Sequence, residues 1–480
     1  MTRRTRVWAM LTAAALTFGP ARAADPAPQA EGSLYPPLAE DVMQSPLAGA
    51  LGPAGYILND VGRGESFLAD IRRAVGLHPA FHAQLAQRSQ TRSGARRERA
   101  ALYPRLSTSL NGDYVISRQF DPGTDNVVES LRPDGQINAG LTVSQLLFDG
   151  GAAFQRIKSA RALDQEKESA VRISVNDLSL AAISAYYDVL VHQAILKLGA
   201  EFTRRHAEIL EDVKERERLG AGSRADVMRA TARLAAANVR VAEIRESQRL
   251  AAIRYEEFFK EPPGLLSRPS FEALAVNDRA TAMTMAAKRH PEIAAAIARA
   301  RASRADYKAA QAGRLPELRA SVNAVKFDVF EGGEDFDVRA GVDLNYELYA
   351  GGARAAEIRQ ARERARQQKF EEEQIRQEIE RDAAIAFERR DASVERLGAL
   401  ETAVIANHES RDLVAERFRV ARGDLIDVLQ AENDYFEAGV GYLVGLADRD
   451  MATYELMEHT GELLHYFSPQ REFESALDGE

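Results

Sequence analysis

The chain has no cysteine among its 480 residues. That absence excludes disulfides, thiolate metal sites and a lipid carried on an N-terminal cysteine. Beyond Ala23 no segment of transmembrane-helix length is free of charge, so the mature chain can enter a membrane only as a β-barrel. Proline is missing from two long intervals, Pro133 to Pro262 and Pro316 to Pro469. Gly199 and Gly398 are the only glycines inside the two longest helical stretches. Alanine, Glu, Gln and Arg fill both intervals, which reads as very long helices rather than several compact globules.

What is present at the start is an export signal. Arg3, Arg4 and Arg6 precede an apolar stretch from Val7 to Phe18, and Ala21-Arg22-Ala23 supplies the small residues a signal peptidase reads. The apolar stretch is too short for a membrane-spanning helix, which needs roughly 20 residues. Loss of this signal peptide (1–23) removes four arginines and takes the formal net charge from −9 to −13. That acidity argues against nucleic acid as a partner. Residues 24–65 are rich in proline and read as an extended linker, and 469–480 as a C-terminal tail.

The rest is a duplication. His78-Pro79 recurs as His290-Pro291 and Tyr103-Pro104-Arg105-Leu106 as Leu315-Pro316-Glu317-Leu318, both at an offset of 212. Phe148-Asp149-Gly150-Gly151 recurs as Tyr349-Ala350-Gly351-Gly352, and the Gly222–Val227 segment as Gly423–Val428, both at 201. The offset falls from 212 to 201 between the proline and the glycine landmarks, so repeat 1 (66–277) carries eleven residues there that repeat 2 (278–468) lacks. An insertion tolerated at one spot marks a loop. The stretch with Pro122-Gly123, Asp125-Asn126 and Pro133-Asp134-Gly135 has that chemistry.

Each unit switches from period 2 to helical period. Phe336, Val338, Ala340, Val342, Leu344, Tyr346 and Leu348 alternate with polar residues, as do Leu318 to Ala324, Leu106 to Ile116 and Ile137 to Val143. Strands are expected at about 105–118, 136–148, 317–330 and 335–348, with the turn Glu331-Gly332-Gly333-Glu334 closing the second hairpin. Long helices are expected at about 151–219 and 352–420, with antiparallel partners at 224–260 and 425–467. Each long helix is on the order of 100 Å at 1.5 Å per residue. No single core buries such a helix, so it must pack lengthwise on others. Four strands cannot close around a lumen, where about eight are needed, so a barrel must be shared between chains. The histidines show no ligand spacing, and no nucleophile–base–orienter set stands out, so no enzyme, cofactor or metal is expected.

The helix reversals LGAGSRADVMRA (219–230) and VARGDLIDVLQA (420–431), the duplication, the Tyr-Pro before the first strand and the Asp-Gly-Gly after the second carry a resemblance. Over about residues 66–468 the chain resembles the TolC-like outer membrane factor family. The resemblance implies a mainly α chain with a small β part, three copies of which form a 12-stranded outer-membrane barrel continuous with a periplasmic helical tunnel. It implies no chemistry, only passage of substrate handed over by a periplasmic adaptor and an inner-membrane ABC or RND transporter. Outer-membrane lipid surrounds the barrel. By the same resemblance Gly220, Ala221, Val420 and Ala421 are adaptor-docking tips. Asp427 becomes a ring of three carboxylates at the pore constriction, with Gln430 where the family has a second acid. Asp226 matches the family's latch aspartate, but Phe418 and Gly423 replace its Tyr and Arg, leaving Arg422 as the substitute. A local reading stands beside each: Asp424 and Asp427 fit N-cap and N3 of a helix, and Asp226 fits N3 after Ser223. The segment from Gly423 to Tyr435 also looks like the type I secretion branch, with multidrug or metal efflux as the alternative cargo. A periplasmic adaptor or a fibrous coiled coil is the rival class, but an adaptor has one hairpin between compact β domains.

Overall fold

In the computed structural model of the chain, residues 45–58, 64–117, 119, 134–269, 276–330, 334–420 and 422–467 are described. The export signal, residues 24–44 of the linker, the loop at 120–133, the turn residues 331–333, Ala421 and the tail lie outside them. In chain order come α1 (Pro46–Leu51), a 3-10 segment (Gly52–Leu58), α2 (Gly64–Leu77), α3 (Pro79–Ala100), β1 (Arg105–Tyr114) and β2 (Gly135–Phe148). Then follow α4 (Ala152–Arg218), α5 (Arg224–Phe259), α6 (Arg279–Arg289), α7 (Pro291–Ala312), β3 (Glu317–Lys326) and β4 (Phe336–Asn345). Helices α8 (Ala353–Arg419), α9 (Leu425–His459) and α10 (Leu463–Phe467) complete the fold.

The two 67-residue helices, α4 and α8, start after matching Gly-Gly pairs, with Gly151 at φ 89° and Gly352 at φ 87°. Only a residue without a Cβ holds that left-handed conformation at little cost. Helix α4 is the spine of the chain and packs along α3, α5, α7 and α9, while α8 packs along α6, α7 and α9. The most apolar stretch of α4 has a mean hydropathy of 1.2 over 18 residues, yet it is 61% buried inside the protein. Its side chains Ala182, Ile183, Val189, Leu190 and Leu198 are fully enclosed by neighbouring helices, which accounts for its apolarity without a bilayer.

The helices end where backbone chemistry stops them. Helix α5 ends at Phe259 with Lys260 at φ 61°. At the equivalent point of repeat 2, α9 ends at His459 and Gly461 sits at φ 74°. The second long partner helix is thus shorter than the expected 425–467, because Gly461 reverses the chain before α10 resumes at Leu463. His78 and His290 cap α3 and α7, each accepting from the backbone N–H two residues on through its Nδ1.

Residues 46–58 are not an extended linker. Pro46 lies in the first turn of α1, where its missing N–H is harmless, and Leu47, Ala50, Leu51, Ala54 and Ile57 are buried. This strap packs on α4 and α8, the Tyr435 hydroxyl donates to the Ala50 carbonyl at 2.6 Å, and the Lys197 ammonium lies 3.8 Å over the Tyr56 ring.

The strands form one antiparallel meander in the order β1-β2-β3-β4, so the two repeats meet at β2 and β3. Three strands are shorter than their alternation suggests. Strand β4 stops at Asn345, which pairs with Glu317. The next residue along β3 is Pro316, and proline has no N–H to continue a ladder. At the other end β3 stops at Lys326, two residues before Asp328 takes φ 47° and turns the chain. Strand β1 ends at Tyr114, where its pairing with β2 gives way to the hairpin connection. That connection runs over 115–134, against only 327–335 between β3 and β4. The inequality of the repeats therefore falls in the first hairpin connection, most of it outside the described residues.

Register aligns the faces of all four strands. Ser107 opposes Thr142, Thr142 opposes Asn323 and Asn323 opposes Arg339, while Ser144 opposes Ser321 and Arg319 opposes Asp343. The other face runs Leu106, Val143, Val322, Ala340, with Leu318 opposite Leu344. Nothing in the described chain covers that apolar face: Leu106, Leu110 and Leu344 are each 66% exposed. A contiguous exposed apolar surface of this kind needs a lipid or protein partner.

Candidate functional site: the helix-reversal tips

Both reversals fold the same way. At the end of α4, Gly220 takes φ 76°, its N–H donates to the Glu217 carbonyl at 2.9 Å, and Ala221 N–H donates to the Arg216 carbonyl at 2.8 Å. At the end of α8 the Arg422 N–H donates to the Arg417 carbonyl at 2.9 Å, the matching bond of repeat 2. These backward bonds satisfy last-turn carbonyls of each helix. Gly222 and Gly423 then pass so close to the helix end that a Cβ would lie 3.1 Å from the Glu217 and Phe418 backbone nitrogens respectively. A side chain at either position would crowd the helix end. Leu219, Gly220, Ala221 and Val420 are exposed at the outermost end.

The helices that start there are capped unequally. Ser223 and Asp226 form a reciprocal capping box: Ser223 Oγ accepts from the Asp226 N–H at 3.2 Å, and Asp226 Oδ2 accepts from the Ser223 N–H at 3.3 Å and from its hydroxyl at 2.7 Å. Arg229 adds an ion pair to Asp226 at 3.4 Å. The Asp226 carboxylate is thus engaged within its own helix, and Arg422 has no ion pair among the described residues. One chain does not bring Asp226 and Arg422 into a salt bridge. In the second tip Asp424 caps α9 by accepting from the Ile426 N–H at 3.2 Å. Asp427 sits exposed in the first turn, and Gln430 donates to Asp434 at 2.7 Å.

Phe418 is not a surface group. It is buried with Ile209 and Val213 of α4 and Leu425, Val428 and Leu429 of α9, while Val227 of α5 and Val414 of α8 pack against them. Above its ring, at 3.8 Å, lies the guanidinium of Arg216, which also donates to the Phe418 carbonyl oxygen. An apolar plug with a cation on its face therefore ties hairpin 1 to hairpin 2. No local pattern reveals this plug, since its two partners lie on different repeats.

His206 is a further buried group that spacing does not reveal. It lies on α4 against Phe202, beside Arg233, at the edge of a cavity of about 190 Å³ lined also by Leu429 and Phe436. Burial, and then the Arg233 charge, hold its imidazole down at about 4. A folded value below the ordinary 6.5 means that the unfolded chain binds the proton more readily. Stability is full above about pH 6.5 and falls as the pH drops towards 4, by about 2–4 kcal/mol per chain. His206→Leu should flatten that acid limb of a thermal-stability profile between pH 7 and 4. Parallel profiles for wild type and variant would exclude this role.

A duplicated strand hairpin plus long helical hairpin, on a sheet whose apolar face is bare, defines an outer-membrane channel subunit rather than an enzyme or an adaptor. Two segments, residues 71–255 and 282–462, match the family model for outer membrane efflux proteins, and the chain belongs to that family. It is 25% identical over 357 residues to the outer membrane efflux protein BepC of Brucella suis, covering 74% of this chain and 77% of BepC. It is 24% identical over 375 residues to the alkaline protease secretion protein AprF of Pseudomonas aeruginosa, covering 75% and 77%. The fold matches the crystal structure of the Campylobacter jejuni CmeC outer membrane channel with a TM-score of 0.73 at 11% identity, covering 86% and 89%. The protein is an outer-membrane export channel with a helical part reaching into the periplasm.

Proposed function

We propose that three copies of the chain close a 12-stranded barrel and a helical tunnel, forming the exit duct of a tripartite export system. The observation that carries this reading is the four-stranded sheet, which is apolar on one exposed face and polar on the other. Its outer edges, on β1 and β4, pair with no other strand among the described residues. Closure with other copies satisfies both edges and turns the polar face, with Asp113, Asp337, Arg339 and Asp343, towards a lumen. The tips at Gly220, Ala221, Val420 and Ala421 meet a periplasmic adaptor that brings an inner-membrane ABC or RND transporter. A photo-crosslinker at position 220 or 420 should capture one periplasmic adaptor in cells. Labelling of lipid or random periplasmic proteins alone would remove the docking role.

The cargo is protein in a type I pathway. The similarity to a protein named for protease secretion supports this, and the similarity to BepC, named for efflux, supports efflux as the second reading. Deletion separates them: loss of one or more secreted proteins from the medium with unchanged drug sensitivity supports secretion, and the reverse supports efflux.

In this assembly Asp427 from three subunits forms the constriction, and exposed carboxylates so placed attract cations. Asp427→Ala is then expected to raise single-channel conductance and weaken block by multivalent cations; unchanged values of both remove the ring. An Arg422–Asp226 latch competes with the Ser223 and Arg229 partners that Asp226 has in its own helix. Charge reversal at either site opens it and the double reversal recloses it, whereas additive effects exclude it.

A further inference from the structure

Far from the tips, α4, α7 and α9 converge on a polar cluster. His290, at the start of α7, is 4% exposed, and its Nε2 has no hydrogen-bond partner. That atom lies 3.7 Å from Oε1 of Glu458, near the end of α9. The neighbouring His459 places Nδ1 3.0 Å from Glu458 Oε2, also without a well-directed hydrogen bond. Asn176 of α4 donates to Glu458 Oε1 at 2.6 Å, leaving its own Oδ1 enclosed and unpartnered. Three unsatisfied buried atoms therefore surround one carboxylate, a concentration that native interiors avoid unless an ion or water completes it.

The charge balance points the same way. Asp177 has its carboxyl pushed up by burial and then by the nearby charges of Glu458 and Glu292, against a smaller opposing pull from His290. Arg289, the adjacent cation, is paired with Glu462 at 3.5 Å. The acids on this side of α4 repel one another.

We propose that His290, Glu458 and His459 bind a divalent transition-metal ion of the zinc class. Their ligand atoms all lie within 4.8 Å of one another. Zinc with bonds of about 2.0–2.2 Å places tetrahedral ligands roughly 3.3–3.5 Å apart, so the cluster closes with small side-chain rotations. Two imidazoles and a carboxylate are a borderline donor set that favours zinc over calcium or magnesium. Ligation through Nε2 moves the proton of His290 to Nδ1, which gives up the 3.3 Å bond from the Glu292 N–H. That single long cap bond is exchanged for a metal bond and for neutralised acids. The His459 side chain is 33% exposed and provides the entrance.

The duplication supplies an internal control. Repeat 1 has His78 in the place of His290, and Glu257 and Phe258 in the places of Glu458 and His459. There His78 stacks on Phe258, with ring centroids 5.4 Å apart and 23° between planes. The same scaffold thus tolerates Phe at this position, and only repeat 2 presents the three donors. The bound ion would lock α7 to α9 and α4 in one of the two repeats alone.

The test uses the untagged, detergent-solubilised full chain freed of metal by chelator. Calorimetric titration with zinc chloride should show one site per chain, and cobalt(II) should give visible d–d absorption that zinc removes. His459→Phe, which writes the repeat 1 residue into repeat 2, and Glu458→Gln should each weaken zinc binding by more than ~100-fold. His78→Asn should leave it unchanged. Circular dichroism confirms that each variant keeps its helices. Absence of saturable zinc binding by the wild type, or equal affinity in a folded His459→Phe chain, overturns the proposal.

Discussion

Replacing Asp450 by alanine is expected to lower stability by about 3–5 kcal/mol per chain. Asp450 is 1% exposed on α9. Arg268, from the segment after α5, donates to it through Nε at 2.6 Å and Nη2 at 3.1 Å; Arg449 adds Nε at 2.8 Å and the Tyr187 hydroxyl donates at 3.2 Å. These bonds join the end of hairpin 1 to α4 and α9. Removing the carboxylate takes away two charge-assisted bonds from the largely buried Arg268 guanidinium, and breaking a buried pair from one side costs more than the pair contributed. Burial, reinforced by the Tyr454 and Asp450 neighbours, also drives the Tyr187 hydroxyl well above its ordinary range, so it donates at any physiological pH. The pair should therefore be replaceable as a unit. Arg268→Met with Asp450→Met is expected to recover most of the loss in a urea or thermal unfolding series. If the double variant is as unstable as the single one, the penalty lies in packing and not in the unpaired charge.

The second large effect is at Phe418. Truncation to alanine removes the centre of the cluster that joins α4, α8 and α9, together with the platform for Arg216. Large-to-small substitution at such a site costs about 3–5 kcal/mol. The loss is local, because the cluster sits at the free end of helices held elsewhere by their own contacts. The expected phenotype is thus a loosened tip in an intact channel: higher conductance, faster proteolysis near residues 219–223 and 420–424, and unchanged helix content. Arg216→Ala should give a weaker form of the same behaviour. Phe418→Tyr is expected to keep the plug and add a hydroxyl at a buried site. If Phe418→Ala leaves both conductance and tip proteolysis unchanged, the plug does not hold the hairpins together.

Much of the architecture was legible because its signals are local and periodic. The expected helices at 151–219 and 352–420 appear as Ala152–Arg218 and Ala353–Arg419, bounded by glycine pairs and by the reversal glycines. Strand alternation identified all four strands, but it does not register the missing N–H of Pro316 or the turned backbone at Asp328, which end the ladders early. What escaped depends on partners remote in sequence. Residues 46–58 have two prolines and look like a linker, yet Leu47, Leu51 and Ile57 meet a surface supplied by α4 and α8. Composition does not show that surface. At the site the glycines and caps were readable from spacing, since turns and caps are made within four residues. Phe418 was readable as an incomplete latch only, because Arg216 arrives from the other repeat. His290, Glu458 and His459 likewise show no ligand spacing along the chain.

The proposed constriction at the ring of helix tips is tested most directly by single-channel recording in planar bilayers. The purified wild type is compared there with Asp427→Ala and Phe418→Ala. Discrete, cation-favouring steps are predicted for the wild type, and larger steps for both tip variants. Wild-type protein that yields no channels, or three proteins with identical conductance and cation block, would contradict it.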